Sequence, residues 1–138
     1  MDCVFCAIVR GESPASLVHA DDDVLAFLDI RPVTPGHLLV IPRRHAVGLS
    51  DLPTELGPAI WGTAQRLAGA LRGSGVRCDG VNLFLADGEP AGQEVFHVHL
   101  HVVPRFAGDG FRLDAQWRFP ARSELDMTAE QIRQALPD

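Results

Sequence analysis

Three histidines at alternating positions, His97-Val98-His99-Leu100-His101, constrain this chain more than any other stretch. They lie within Val95-Phe96-His97-Val98-His99-Leu100-His101-Val102-Val103, whose other residues are mostly β-branched or aromatic, as in a strand. Side chains alternate faces along a strand. The spacing therefore predicts a strand over 95–103 with His97, His99 and His101 on one side and Phe96, Val98, Leu100 and Val102 toward a core. At a rise of about 3.3 Å per residue, successive histidines would stand roughly 6.5 to 7 Å apart. One histidine on a strand is usually structural. Three in a row need every ring nitrogen paired if buried, and repel one another if charged. A functional role explains the row better than a structural one.

The chain has 138 residues, the size of one domain, and 46% hydrophobic residues supply a core. A net charge of −6 speaks against a general nucleic-acid surface, which would be basic. No apolar run is long enough to span a membrane, and no signal-like segment stands at Met1, so a cytoplasmic protein with no membrane partner is expected. Three cysteines do not make a disulfide framework. Cys3 and Cys6 form a C-x-x-C. Metal binding, redox chemistry and two ordinary buried cysteines are its readings, in that order, and a metal would need two further ligands.

Periodicity predicts a short helix over 5–10 and strands over 17–20, 24–30, 37–41 and 81–85. A long helix is expected over 51–72 from apolar residues at Leu56, Ile60, Ala64, Leu67 and Leu71. Thr128 and Gln131 suggest a capping box for a short terminal helix to about Leu136. Asp21-Asp22-Asp23 reads as a solvated turn, and His19 as a surface residue. Arg43-Arg44 reads as a solvated pair, with a phosphate clamp as the alternative. Short connections favour an antiparallel arrangement. The expected fold is α+β, an antiparallel sheet of about five strands with one long helix and short flanking helices.

Two chemistries suit aligned imidazoles. One is a metal site. The other is nucleophilic attack on phosphorus, because a neutral imidazole is a good nucleophile near pH 7. No Walker loop is present, so phosphate binding would rest on imidazole N–H groups and the glycine-rich stretch 88–93. No acidic companion for a catalytic metal stands in the segment, which makes a metal-dependent hydrolase the weaker reading.

His97-Val98-His99-Leu100-His101-Val102-Val103 resembles the signature of the histidine triad superfamily in full. Ala91-Gly92-Gln93, Pro104 to Phe111, Ala26 to Ile30 and Thr34 to Pro42 resemble its other blocks, in the right order. The resemblance covers residues 3 to about 111, which implies a domain over 1–111 and an extension over 112–138 packed on or near it. It implies a nucleotide hydrolase or transferase acting at the α-phosphate of nucleoside phosphoramidates or dinucleoside polyphosphates, purines among them. His99 would be the nucleophile, His101 would bond the phosphate and His37 would support them. Asp29 would take the ribose hydroxyls, Ile8 and Ile30 would wall the base pocket, and Gln93 and the Glu94 backbone would line the phosphate site. Cys3, Cys6, His45 and His97 would hold a structural zinc ion. The family resemblance also implies a homodimer through 54–72. Two positions depart from the pattern, Glu94 where Ser or Thr is usual and Ala86 where Asn or Gln is frequent. They leave a catalytically weak nucleotide-binding module as the alternative.

Overall fold

The computed structural model describes residues 3–137. Helix α1 (Val4–Val9) is followed by strands β1 (Leu17–Ala20), β2 (Val24–Leu28) and β3 (Leu38–Pro42), helix α2 (Leu56–Gly73), strands β4 (Gly80–Leu85) and β5 (Leu100–Arg105), and helix α3 (Arg122–Ala135). The five strands form one antiparallel sheet in the order β1-β2-β3-β5-β4. The α+β expectation is met.

Period-two alternation sorts the sheet into two faces. Val24 and Ala26, Leu38 and Val40, and Leu100 and Val102 face α2 and meet Ile60, Ala64, Leu67 and Leu71. Leu25 and Phe27 with Leu39 and Ile41 form a second cluster around Phe5 of α1. The α2 stripe is the one the periodicity marked, although the helix begins at Leu56 rather than Asp51. Pro58 sits in its first turn, where a missing N–H costs nothing, and Pro53 lies before it. The acidic turn closes the β1–β2 hairpin. Asp21 Oδ1 accepts from the backbone N–H groups of Asp23 and Val24 at 2.8 and 2.9 Å. Gly36 ends the loop into β3 at φ +95°, where an added Cβ would stand 2.8 Å from Val76.

Three expectations need correction. The histidine strand begins only at Leu100, so His97 and His99 lie on the irregular approach to it. Phe96 is 48% exposed and not part of the core. The chain bends here because His97 Nε2 bonds the Pro42 carbonyl and Val98 N–H bonds the Ala46 carbonyl, in place of a regular ladder. The terminal helix starts six residues before Thr128, whose hydroxyl donates to the Glu124 carbonyl from inside it and caps nothing. Residues 112–137 are exposed almost throughout, and α3 buries no residue.

Candidate functional site

Two side-chain clusters stand on the sheet face opposite α2, and the histidine row joins them. The first is Cys3, Cys6, His45 and His97, whose ligating atoms lie within 4.8 Å of one another. Cys3 caps α1 by accepting the Cys6 N–H on its sulfur, so the helix turn itself sets the two thiols side by side. His97, with no exposed surface, donates Nε2–H to the Pro42 carbonyl at 2.8 Å. Its Nδ1 lone pair is therefore turned into the cluster, 3.4 Å from Cys3 Sγ, 3.6 Å from Cys6 Sγ and 3.2 Å from His45 Nδ1. His45 Nδ1 is 3.3 Å from Cys6 Sγ. A tetrahedral ion with Zn–S near 2.3 Å and Zn–N near 2.0–2.1 Å has edges of about 3.3–3.8 Å. The donor set and the spacing fit zinc. Burial and the adjoining Cys3 sulfur raise the Cys6 thiol above its ordinary range, so a cation beside it is needed to hold that sulfur as a thiolate at neutral pH.

The second cluster is His99, His101, His37 and Asp29. His99 is 7% exposed. Its Nδ1 lies 2.7 Å from the carbonyl of His97. A carbonyl only accepts, so Nδ1 carries the proton and Nε2 of the neutral ring is bare. Val33 N–H donates to His37 Nδ1 at 3.1 Å, which puts the His37 proton on Nε2. That proton points at His101 Nδ1, 2.8 Å away. His101 therefore carries its own proton on Nε2. The 2.8 Å separation is a hydrogen bond and shorter than the roughly 3.0–3.4 Å between nitrogens sharing one metal ion. Asp29 Oδ2 stands 3.6 Å from His37 Nε2, and its Oδ1 accepts from Arg31 N–H at 2.8 Å.

Burial holds His101 down to about 4, with His99 and His37 adding to the effect and Asp29 opposing it. Burial also lowers His37, against the pull of the Asp29 carboxylate. The unfolded chain thus binds more protons than the folded one between roughly pH 6.5 and 4, so the stability present above that window falls as acid is added. The urea midpoint is expected to drop across this range, and His101→Gln is expected to flatten the drop.

The structure brings His37, His99, His101 and Asp29 together, and separately the four cluster ligands. Ile8 is half-buried against the Phe5 cluster, whereas Ile30 is 99% exposed. Gln93 is 4% exposed and its side chain is wholly occupied with backbone. Its Oε1 accepts from Gly88 N–H, and its Nε2 donates to the Val47 and Val95 carbonyls. That side chain braces the loops. Glu94 turns outward to Arg31. His19 bonds Asp21 and Arg43 bonds the Asp21 carbonyl, which leaves both in structural roles. Two aromatic residues were missed. Phe5 stands edge-on to His97 and His99, and Phe84 stacks on His101 with centroids 4.2 Å apart. Phe84 was readable, because Val81, Leu83 and Leu85 alternate toward α2 and so turn Phe84 to the histidine face. Phe5 was not, since only the tertiary fold brings α1 over the sheet.

A family model, the HIT domain, matches residues 10–108. An uncharacterised HIT-like protein of Mycobacterium tuberculosis is 42% identical over 136 residues, 99% of this chain and 94% of its own. A solved Zn-bound histidine triad family protein from Mycobacterium smegmatis is 46% identical with a TM-score of 0.77, covering 99% of each chain. An Arabidopsis thaliana protein, adenylylsulfatase HINT3, is 39% identical over 105 residues, 75% of this chain and 52% of its own.

Proposed function

The chain belongs to the HIT domain family, and from that premise we propose that it is a nucleotide hydrolase or transferase acting at the α-phosphate through a nucleotidyl-histidine on His99. The observation that carries this reading is the fixed tautomer of His99, whose protonated Nδ1 is held by the His97 carbonyl and whose Nε2 is bare. Attack by Nε2 forms a nitrogen–phosphorus bond as the bond to the leaving group breaks. The leaving group departs with that electron pair and takes a proton from solvent. The ring is then cationic, and the His97 carbonyl accepts from its Nδ1–H. Water then attacks phosphorus, an oxygen–phosphorus bond forms as the nitrogen–phosphorus pair returns to Nε2, one water proton passes to solvent, and the neutral imidazole is restored. His101 Nε2–H donates to a phosphate oxygen, and His37 positions His101. Asp29 accepts ribose hydroxyls, and the exposed Ile30, with Ile8, offers apolar surface to a purine base. The Gln93–Glu94 backbone lines the phosphate site. The name of the Arabidopsis relative, an adenylylsulfatase, is in keeping with chemistry of this class.

The experiment is intact-protein mass after mixing with adenosine 5′-phosphoramidate or a diadenosine polyphosphate, quenched at alkaline pH. A transient adenylyl adduct with release of AMP supports the reading. Tight binding with neither adduct nor product would leave a nucleotide-binding module, a reading favoured by Ala86 and Glu94.

Zinc held by Cys3, Cys6, His45 and His97 completes the proposal, and the Zn-bound relative supports it. Bound there, the ion supplies cross-linking. His97 would present no free position to substrate, and its backbone carbonyl would stay fixed under His99. Cys3, Cys6 and Cys78 form no disulfide, which suits a reducing, cytoplasmic setting, and no helix among the described residues is long and apolar enough to cross a membrane. The domain is taken as 1–111, with 112–138 as an extension. Homodimerisation through 54–72 is also proposed. Trp61 stands 58% exposed on α2, away from the stripe that packs on the sheet. Trp61→Glu is expected to convert a dimer to a monomer in sedimentation at micromolar concentration, and an unchanged sedimentation coefficient would discount that interface.

A further inference from the structure

β3 and β5 run antiparallel, with Leu38 beside Val102 and Val40 beside Leu100. The loop over 29–37 therefore enters β3 at one end of the pair, and the loop over 86–99 enters β5 at the other. Both fold onto the histidine face. Asp29 and His37 reach the row from one loop, and Val95 packs against the Phe5 cluster from the other. Any link between them has to cross that face lengthwise. Among the described residues one side-chain hydrogen bond does so, from Arg31 Nη2 to Glu94 Oε2 at 2.7 Å.

The charge inventory gives this contact its meaning. The two loops hold the carboxylates Asp29, Asp87, Glu89 and Glu94, and one arginine, Arg31. Arg43, on the loop after β3, donates to the Asp21 carbonyl. Arg31 gives Nη2 to Glu94, so a chain of phosphates that approaches its remaining N–H donors meets the Glu94 carboxylate beside them, and that charge offsets the attraction of the guanidinium. An exposed ion pair contributes little to stability. Its place as a link between the two loops that flank the histidine face still acts on which charges can approach.

We propose that the Arg31–Glu94 pair is the specificity-determining element of this site. It is a neutral strap over the histidine row that admits nucleotides whose α-phosphate carries an amine leaving group and disfavours those whose leaving group is a run of further phosphates. The proposal rests on the reading of the row as a nucleotide site and adds its substrate class.

The test uses affinity in the full-length His99→Ala protein, so that it stands apart from turnover. Adenosine 5′-phosphoramidate and diadenosine tetraphosphate are titrated calorimetrically into that protein and into versions also carrying Glu94→Gln, Arg31→Gln or both. Glu94→Gln is expected to tighten the tetraphosphate by about three- to tenfold and the phosphoramidate by less than about twofold. Arg31→Gln is expected to weaken the tetraphosphate by a similar factor, and the double variant to bring the ratio of affinities back toward its starting value. These differences should shrink as salt is raised, since the groups are solvent-exposed. Equal changes for both ligands would mean that the pair only holds the loops, and would overturn the proposal. An unchanged ratio in both single variants would do the same. Binding of neither ligand would overturn it together with the nucleotide reading. Failure of the catalytic reading alone shows elsewhere, as the lack of an adduct on the wild-type chain, while the affinities still report on the strap.

Discussion

Replacing His99 by alanine is expected to remove nucleotidyl transfer, lowering kcat on the order of a thousandfold or more and abolishing the covalent adduct. The magnitude follows from what is lost. Among the described residues, none of the three rings beside it, His97, His101 and His37, has a free Nε2 lone pair. His97 spends its Nε2 proton on the Pro42 carbonyl, His37 points its Nε2 at His101, and His101 carries its proton on Nε2. A neighbour therefore cannot substitute without reversing its hydrogen bonds. The fold should survive, because the His99 side chain bonds only the carbonyl two residues before it. Unchanged metal content and near-UV dichroism would establish that. His101→Ala should be milder, about a hundredfold, since it removes one donor to the phosphate and leaves the nucleophile. Full turnover by the His99→Ala protein on both phosphoramidate and polyphosphate substrates would show the proposed mechanism to be wrong.

The second large effect is on stability. Cys6→Ser is expected to lower zinc content from one ion per chain to a small fraction and to drop Tm by roughly 10 to 15 °C. A ligand present at 100 to 1,000 times its Kd adds about 3 to 4 kcal/mol to the folded state. For a domain near this size each kcal/mol moves Tm by about 4 °C. The four ligands would tie α1 to the loop after β3 and to the approach of β5, adding to the packing around Phe5 and to the Val98–Ala46 hydrogen bond. A strong chelator applied to the wild type should reproduce the shift. Well below the lowered Tm, the chelated protein should keep most of its kcat if zinc is structural. Loss of kcat in step with metal removed, with Tm unchanged, would make the ion catalytic.

Much of the candidate site was legible in the sequence because its parts are short-range. The alternation of histidines with Val98 and Leu100 correctly separated the site face from the core face, even where the strand itself had not begun. The pairing of Cys3 and Cys6 with His45 and His97 came from the family resemblance. No local rule joins residues more than ninety positions apart. The irregular approach over 95–99 escaped because strand propensity sees β-branched neighbours and not the Pro42 and Ala46 carbonyls that capture the backbone. The start of α3 escaped because Thr128 and Gln131 imitate a cap inside a helix. The Gln93 brace escaped because a glutamine in a glycine-rich loop looks like a ligand contact, and only the placement of Val47 shows it to be internal.

The hydrogen bonds from Val33 through His37 to His101 all point the same way. Aligned donors add their dipoles as peptide units do in a helix, and each bond polarises the next. The outer end of this series is the His101 Nε2–H, so the series behaves as a short electret with its positive pole at the surface of the pocket. A pole of this kind attracts an anion without any ionised side chain. Its strength should vary little with ionic strength, unlike that of a lysine or arginine patch. Burial lowers both His37 and His101, so the series persists into somewhat more acid conditions than two ordinary histidines would allow. On the proposed reading, a net-negative chain would hold one phosphate at this spot by polarity.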